Sequence, residues 1–322
     1  MTIEFDPGTA GWLELVAAEF DTADKDGTAD MVATARDQMR AVSARARSLV
    51  TDLVRPRSEQ RVLIPAEDGP LPALVVRPEA DPLAIIVFFH GGGWIGGDLD
   101  THLQHARRLS GQLPAVVVSV DYRMAPEHLF PAAYDDCLAA TRWVADHSIE
   151  LGGRALPLVV AGDSAGAQLA ASVAIGCAEL AVPLAAQLLI VPVADVRGWY
   201  RDETVNARYP SRSENAEGYG LTLDAMAAFA ESYRAGDDWR ASPVLADSFT
   251  GLPPAAIYTA GFDPLRDEGF ALAERLTEAG VRVLHRHLPS LNHSYFALGG
   301  VSETAARAAA QAAEDLRSLL GE

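Results

Sequence analysis

Lysine is almost absent: Lys25 is the only one in 322 residues, and the other cationic side chains are arginines. Arginine and lysine together number 26 against 44 Asp and Glu, a formal net charge of -18 with a pI near 4.8. A surface of that sign repels nucleic acid and anionic membranes, so neither is an expected partner. Arginine in place of lysine reads first as codon bias in a GC-rich genome, and second as adaptation to salt. Cysteine is scarce too. Cys137 and Cys177 each fall among apolar neighbours in a predicted helix, and they read as two buried free thiols rather than a disulfide. Long apolar runs are missing. The longest, Leu83 to Phe89, falls far short of the roughly 20 residues that span a bilayer. The start, Met1 to Asp6, has no basic segment followed by an apolar one and does not resemble a secretory signal. The expectation is a soluble, cytoplasmic protein. No ligand cluster with metal spacing stands out, and no cofactor is implied.

What the chain has is enough apolar residue, 49%, for a large core, with an ordinary 22% charged. Residues 1 to about 55 are helical in pattern and contain no strand candidate. Eight strand candidates follow: Arg61 to Ile64, Ala73 to Arg77, Ala84 to Phe89, Ala115 to Val120, Leu158 to Val160, Ala186 to Ile190, Ala255 to Thr259 and Val281 to Leu288. Between the later ones lie helical stretches at Thr101 to Leu113, Pro131 to His147, Ala165 to Leu180 and Pro264 to Ala279. Alternating strand and helix predicts an α/β architecture, a mostly parallel sheet with helices on both faces. A last helix, Glu303 to Leu320, follows the N-cap candidate Ser302. From Asp195 to about Arg240 the alternation breaks. That stretch is too long for a plain connection and carries Trp199, Tyr200, Tyr209, Tyr219, Phe229 and Tyr233. It reads as a lid over the sheet; the plainer reading is a surface excursion whose aromatics pack on the core.

Gly162-Asp163-Ser164-Ala165-Gly166 is a G-x-S-x-G sequence at a strand-to-helix turn. The glycines let the chain double back, and Ser164 is pushed out at the C-terminal end of the sheet as the candidate nucleophile. His90-Gly91-Gly92-Gly93-Trp94 ends a buried strand candidate. Three successive glycines allow backbone N–H groups to approach a developing oxyanion. The expected donors are Gly91, Gly92 and Ala165, with Trp94 in the substrate-binding wall. A nucleotide phosphate loop is disfavoured, because no Lys-Ser or Lys-Thr follows. His90 reads as a structural anchor of the loop.

Of the histidines after Ser164, His285 and His287 lie two apart in one strand candidate and share a sheet face. His293 follows the strand in a loop and is the expected base. Asp263, first after the strand Ala255 to Thr259, is the expected acid. Its other reading, capping the helix that opens at Pro264, is compatible with that role. Asp267 is the runner-up.

Four motifs in this order resemble the hormone-sensitive-lipase-like family of α/β-hydrolase esterases: the glycine loop, Asp121-Tyr122-Arg123-Met124-Ala125-Pro126-Glu127-His128, the serine turn, and Asp263-Pro264-Leu265-Arg266-Asp267-Glu268. The resemblance covers residues 60 to 300. It implies an eight-stranded α/β-hydrolase sheet, a helical lid built from residues 1–55 and 195–240 beside a catalytic domain at 56–322, short-chain ester substrates and no metal. It also implies that the stretch from Tyr122 to Glu127 supports the site through buried hydrogen bonds. Two positions depart from the family. Ala167 stands where a second glycine is usual, and His293-Ser294-Tyr295 stands for His-Gly-Phe. The expected function is hydrolysis of a small-molecule carboxylic ester. Amide or natural-product deacylation and a non-hydrolytic lyase are the alternatives, and a homodimer is left open.

Overall fold

The computed structural model describes residues 3–20, 31–50 and 55–321; Lys25 lies outside them. The strands are β1 (Ser58–Ile64), β2 (Leu71–Arg77), β3 (Ala84–Phe89), β4 (Ala115–Val120), β5 (Leu158–Asp163), β6 (Ala186–Ile190), β7 (Ala255–Phe262) and β8 (Val283–Asn292). The helices are α1 (Pro7–Phe20), α2 (Met31–Leu49), α3 (Leu103–Gln112), α4 (Ala132–Asp146), α5 (Ser148–Gly152), α6 (Ala165–Glu179), α7 (Glu203–Asn206), α8 (Ser211–Glu214), α9 (Leu223–Tyr233), α10 (Arg266–Glu278) and α11 (Glu303–Leu320). The sheet has eight strands in the order β1-β2-β4-β3-β5-β6-β7-β8. β2 runs antiparallel to both neighbours, and β3 to β8 are parallel.

Burial follows the two-residue period of a strand. In β3, Ile85, Val87 and Phe89 enter one core, and Ala84, Ile86 and Phe88 enter the other. The first core includes the inner faces of α4, α6 and α10, and the second those of α3 and α11. A strand buried on both faces cannot alternate apolar with polar, which is why these strands read as continuous apolar runs. Ser302 caps α11, its Oγ accepting from Ala305 N at 3.1 Å. Cys137 and Cys177 are buried and free. No helix among the described residues is long and apolar enough to cross a membrane.

The parallel strands deliver their C-terminal ends to one edge, where ligands bind in open α/β sheets. A bulge matters there. β7 and β8 pair in simple register up to Ala260 with Leu288, then shift so that Phe262 pairs with Asn292. The next residues are Asp263 and His293, which therefore leave the sheet side by side.

The insertion is pinned to α10. Arg212 and Glu268, both fully buried, pair at 2.9 Å. Arg212 also donates to Asp195 O and lies over the rings of Tyr200 and Tyr209. Ser211 N donates to Asp267 Oδ2 at 2.7 Å. Asp267, the runner-up acid, is thus engaged with the insertion. Tyr200, Tyr209 and Tyr233 join the core, whereas Trp199 is 41% exposed.

Candidate active site

Ser164 lies between β5 and α6 with φ 54° and ψ -121°, a conformation costly for a side chain with a Cβ. The turn is possible because its flanks are bare. A Cβ at Gly166 would collide with the carbonyl oxygen of Phe89, and one at Gly162 with the backbone of Gly166. Ser164 N donates to Ile190 O at 2.9 Å, which ties the turn to β6. Ser164 is 8% exposed, at the wall of a cavity of about 420 Å³.

His293 follows β8 and lines the same cavity. Its Nδ1 donates to Asp263 Oδ2 at 2.8 Å. The other oxygen of Asp263 accepts Leu265 N at 2.9 Å, so the carboxylate holds both the ring and the turn that leads into α10, whose N-cap position is Leu265 rather than Asp263. Burial disfavours the imidazolium, but the Asp263 carboxylate outweighs it and raises the His293 pKa above its ordinary 6.5. His285 and His287 lie elsewhere, on β8 against Thr259 and Phe270.

Two expectations about the glycine loop need correction. Gly91 was expected to be an oxyanion donor, but its N–H is occupied by Asp163 Oδ1 at 3.0 Å. The cavity is lined instead by Gly92 and Gly93, whose N–H groups meet no protein acceptor among the described residues. Ala165, the first residue of α6, adds an N–H at the positive end of that helix. Trp94 was expected in the substrate wall. It is fully buried, stacked on Tyr233 at 4.6 Å, and its Nε1 donates to Gln168 Oε1 at 2.9 Å. Its indole N–H has found a buried partner away from the cavity.

His90 anchors the loop. Its ring is fully buried, stacks on Tyr122 at 4.3 Å, and bonds Gly91 O through Nδ1 at 2.8 Å. Tyr122 Oη donates to His90 O at 2.7 Å. Arg123 pairs with the buried Asp136 at 2.7 Å. Glu127 does not fit the expected buried role. It is 55% exposed and holds Arg36 of α2 at 2.7 Å. Arg36 also donates to Ala125 O at 3.0 Å and to Ile95 O, so it sews α2 to the glycine loop.

Residues 35, 38, 39, 42 and 46 of α2 form one helical face on the cavity. Leu221, Met226 and Phe229 close it from the insertion. The structure also gathers residues the sequence did not single out. His102, His105 and Asp163 bring one potential metal-ligating atom each within 4.8 Å of the others. An H-x-x-H spacing at the start of α3 was the only hint, and Asp163 is 58 residues further along.

Residues 86–297 match the model of a protein family described as having the alpha/beta hydrolase fold. Esterase LipI of Mycobacterium tuberculosis is 38% identical over 88% of this chain and 89% of its own. Carboxylesterase NlhH of the same organism is 39% identical over 89% and 91% respectively. A solved structure of a hyperthermophilic esterase from the archaeon Pyrobaculum calidifontis superimposes with a TM-score of 0.88 at 35% identity, covering 98% of this chain and 99% of that one. With motif order, sheet topology and these likenesses in agreement, the chain belongs to the α/β-hydrolase-fold family, in its hormone-sensitive-lipase-like branch.

Proposed function

We propose that this protein is a serine carboxylesterase acting on small esters, with Ser164 as nucleophile, His293 as general base and Asp263 as the acid that orients it. One observation carries the reading: His293, held 2.8 Å from the buried Asp263, lines the same cavity as a serine held at φ 54°. The hydrogen bond to Asp263 leaves the His293 proton on Nδ1, so Nε2 offers a lone pair to the Ser164 hydroxyl. Ser164 Oγ adds to the ester carbonyl as its proton passes to Nε2. The oxyanion is met by N–H groups of Gly92, Gly93 and Ala165. Collapse expels the alcohol, which takes the proton from His293. Water, deprotonated by His293, then attacks the acyl-enzyme and releases the acid and Ser164.

A cavity of about 420 Å³ suits a small ester and lies at the low end of ordinary ligand pockets. The α2 face and Phe229 act as its lid, excluding bulk water from the acyl-enzyme. The test is pre-steady-state cleavage of p-nitrophenyl butyrate. A burst of one nitrophenol per site is expected where deacylation limits turnover. Ser164→Ala should lower kcat by roughly 10⁴- to 10⁶-fold with the fold intact. A variant keeping more than about a tenth of the wild-type rate would end this assignment.

A further inference from the structure

We propose that His102, His105 and Asp163 form a binding site for one divalent transition-metal ion of the zinc class, with a fourth position open to the cavity. The inference concerns binding and stands apart from the esterase reading.

Hydrogen-bond bookkeeping at His102 points to it. The Thr101 hydroxyl donates its one proton to Asp98 O at 2.9 Å. Thr101 Oγ1 can therefore only accept from His102 Nδ1, which stands 2.9 Å away. With Nδ1 carrying the proton of a neutral ring, Nε2 is a lone pair. It faces Asp163 Oδ2, another acceptor, at 3.4 Å. Two acceptors so close need a proton or a cation between them.

His105 tips the balance toward a cation. It is 6% exposed, lies one helical turn from His102, and packs against Phe88 and Phe296. Among the described residues its Nδ1 has no hydrogen-bond partner, and its ring centre is 4.8 Å from that of His102. An unpaired buried imidazole nitrogen calls for an explanation.

The spacing fits. Ligand atoms about 2.1 Å from a tetrahedral centre stand about 3.4 Å apart, and His102 Nε2 and Asp163 Oδ2 already have that separation. Rotation of the His105 ring completes the set, since the three ligand atoms lie within 4.8 Å. Outer contacts are in place as well: Thr101 fixes the His102 tautomer, and Gly91 N–H holds the second oxygen of Asp163 at 3.0 Å. Two imidazoles and one carboxylate favour zinc or cobalt over magnesium or calcium. His102, His105 and Asp163 all line the cavity, which gives the ion an entry path and the fourth position a water.

The experiment is a Co²⁺ titration of the chelator-stripped full-length protein, read from visible d–d absorption and followed by Zn²⁺ displacement. One equivalent of four-coordinate Co²⁺ is expected, displaced by one Zn²⁺. His105→Phe should weaken binding by more than the roughly 10- to 100-fold that loss of an outer partner costs. Thr101→Val, which keeps all three ligands, should weaken it within that range. Ser164→Ala should bind as wild type does. Absence of stoichiometric binding by the wild type overturns the proposal and leaves a protonated His102 as the bridge to Asp163. Equal binding by wild type and both variants overturns it too, because the ion would then sit elsewhere. If His105→Phe does not fold, the wild-type stoichiometry together with Thr101→Val decides.

Discussion

Replacing Asp263 by Asn tests the proposed triad at its most buried member. The side chain is fully buried and nearly isosteric with asparagine, so the fold should hold. An asparagine carbonyl at the Oδ1 position would keep the bond from Leu265 N, now 2.9 Å. Its NH₂ would then stand where Oδ2 stands, 2.8 Å from His293 Nδ1. Two N–H groups cannot face each other at that distance, so the ring shifts its proton to Nε2. Nε2 then has no lone pair for Ser164. The expected loss in kcat is about 10⁴-fold, or about 5.4 kcal/mol of transition-state stabilisation. The pH profile supplies a second readout. The base works when neutral, so kcat/KM rises with pH, and in the wild type the inflection should lie above 6.5 because Asp263 raises the His293 pKa. Without the carboxylate the inflection should move to lower pH even as the rate falls. The assay is p-nitrophenyl butyrate hydrolysis from pH 5 to 9. A variant retaining more than a tenth of the wild-type rate, with an unmoved inflection, would refute the tautomer argument.

Gly93 combines φ +60° with a position where a Cβ would strike the Phe229 ring. Gly93→Ala should displace the proposed donor N–H and cost roughly 10²-fold in kcat/KM, and unchanged steady-state kinetics would remove Gly93 from the oxyanion set. Burial holds His90 and His105 down at about 4 and about 3, against 6.5 for a free histidine. The unfolded chain therefore takes up protons first on acidification, and stability present above pH 6.5 should be lost as pH falls toward 4 and 3; a melting temperature flat from pH 6.5 to 4 by scanning fluorimetry would contradict this. Arg36→Ala removes the tie between α2, Glu127 and the glycine loop. It should raise KM for p-nitrophenyl butyrate by about tenfold, the fold-change of about 1.4 kcal/mol, and an unchanged KM would show that α2 holds its place without it.

What the sequence determined by itself is what neighbouring residues decide. Each strand candidate overlaps a strand, and the inner ones such as β3 and β4 stood out because a strand buried on both faces must be an apolar run. The turn at Ser164 was legible because glycines at 162 and 166 are needed within five residues of the serine. The proposed triad residues Ser164, Asp263 and His293 were nominated from their order along the chain. Tertiary structure decided the rest, because it depends on register and on groups far apart in the chain. The shift after Ala260 sets Asp263 beside His293, and no local pattern encodes which residue of β8 faces Phe262. Gly91 lost its expected role because Asp163, 72 residues away, accepts its N–H. Trp94 left the cavity wall because Gln168 and Tyr233 provide a buried seat for its ring. The meeting of His102 and His105 with Asp163 joins the start of α3 to the end of β5, and only the packing of α3 against the sheet brings them within reach.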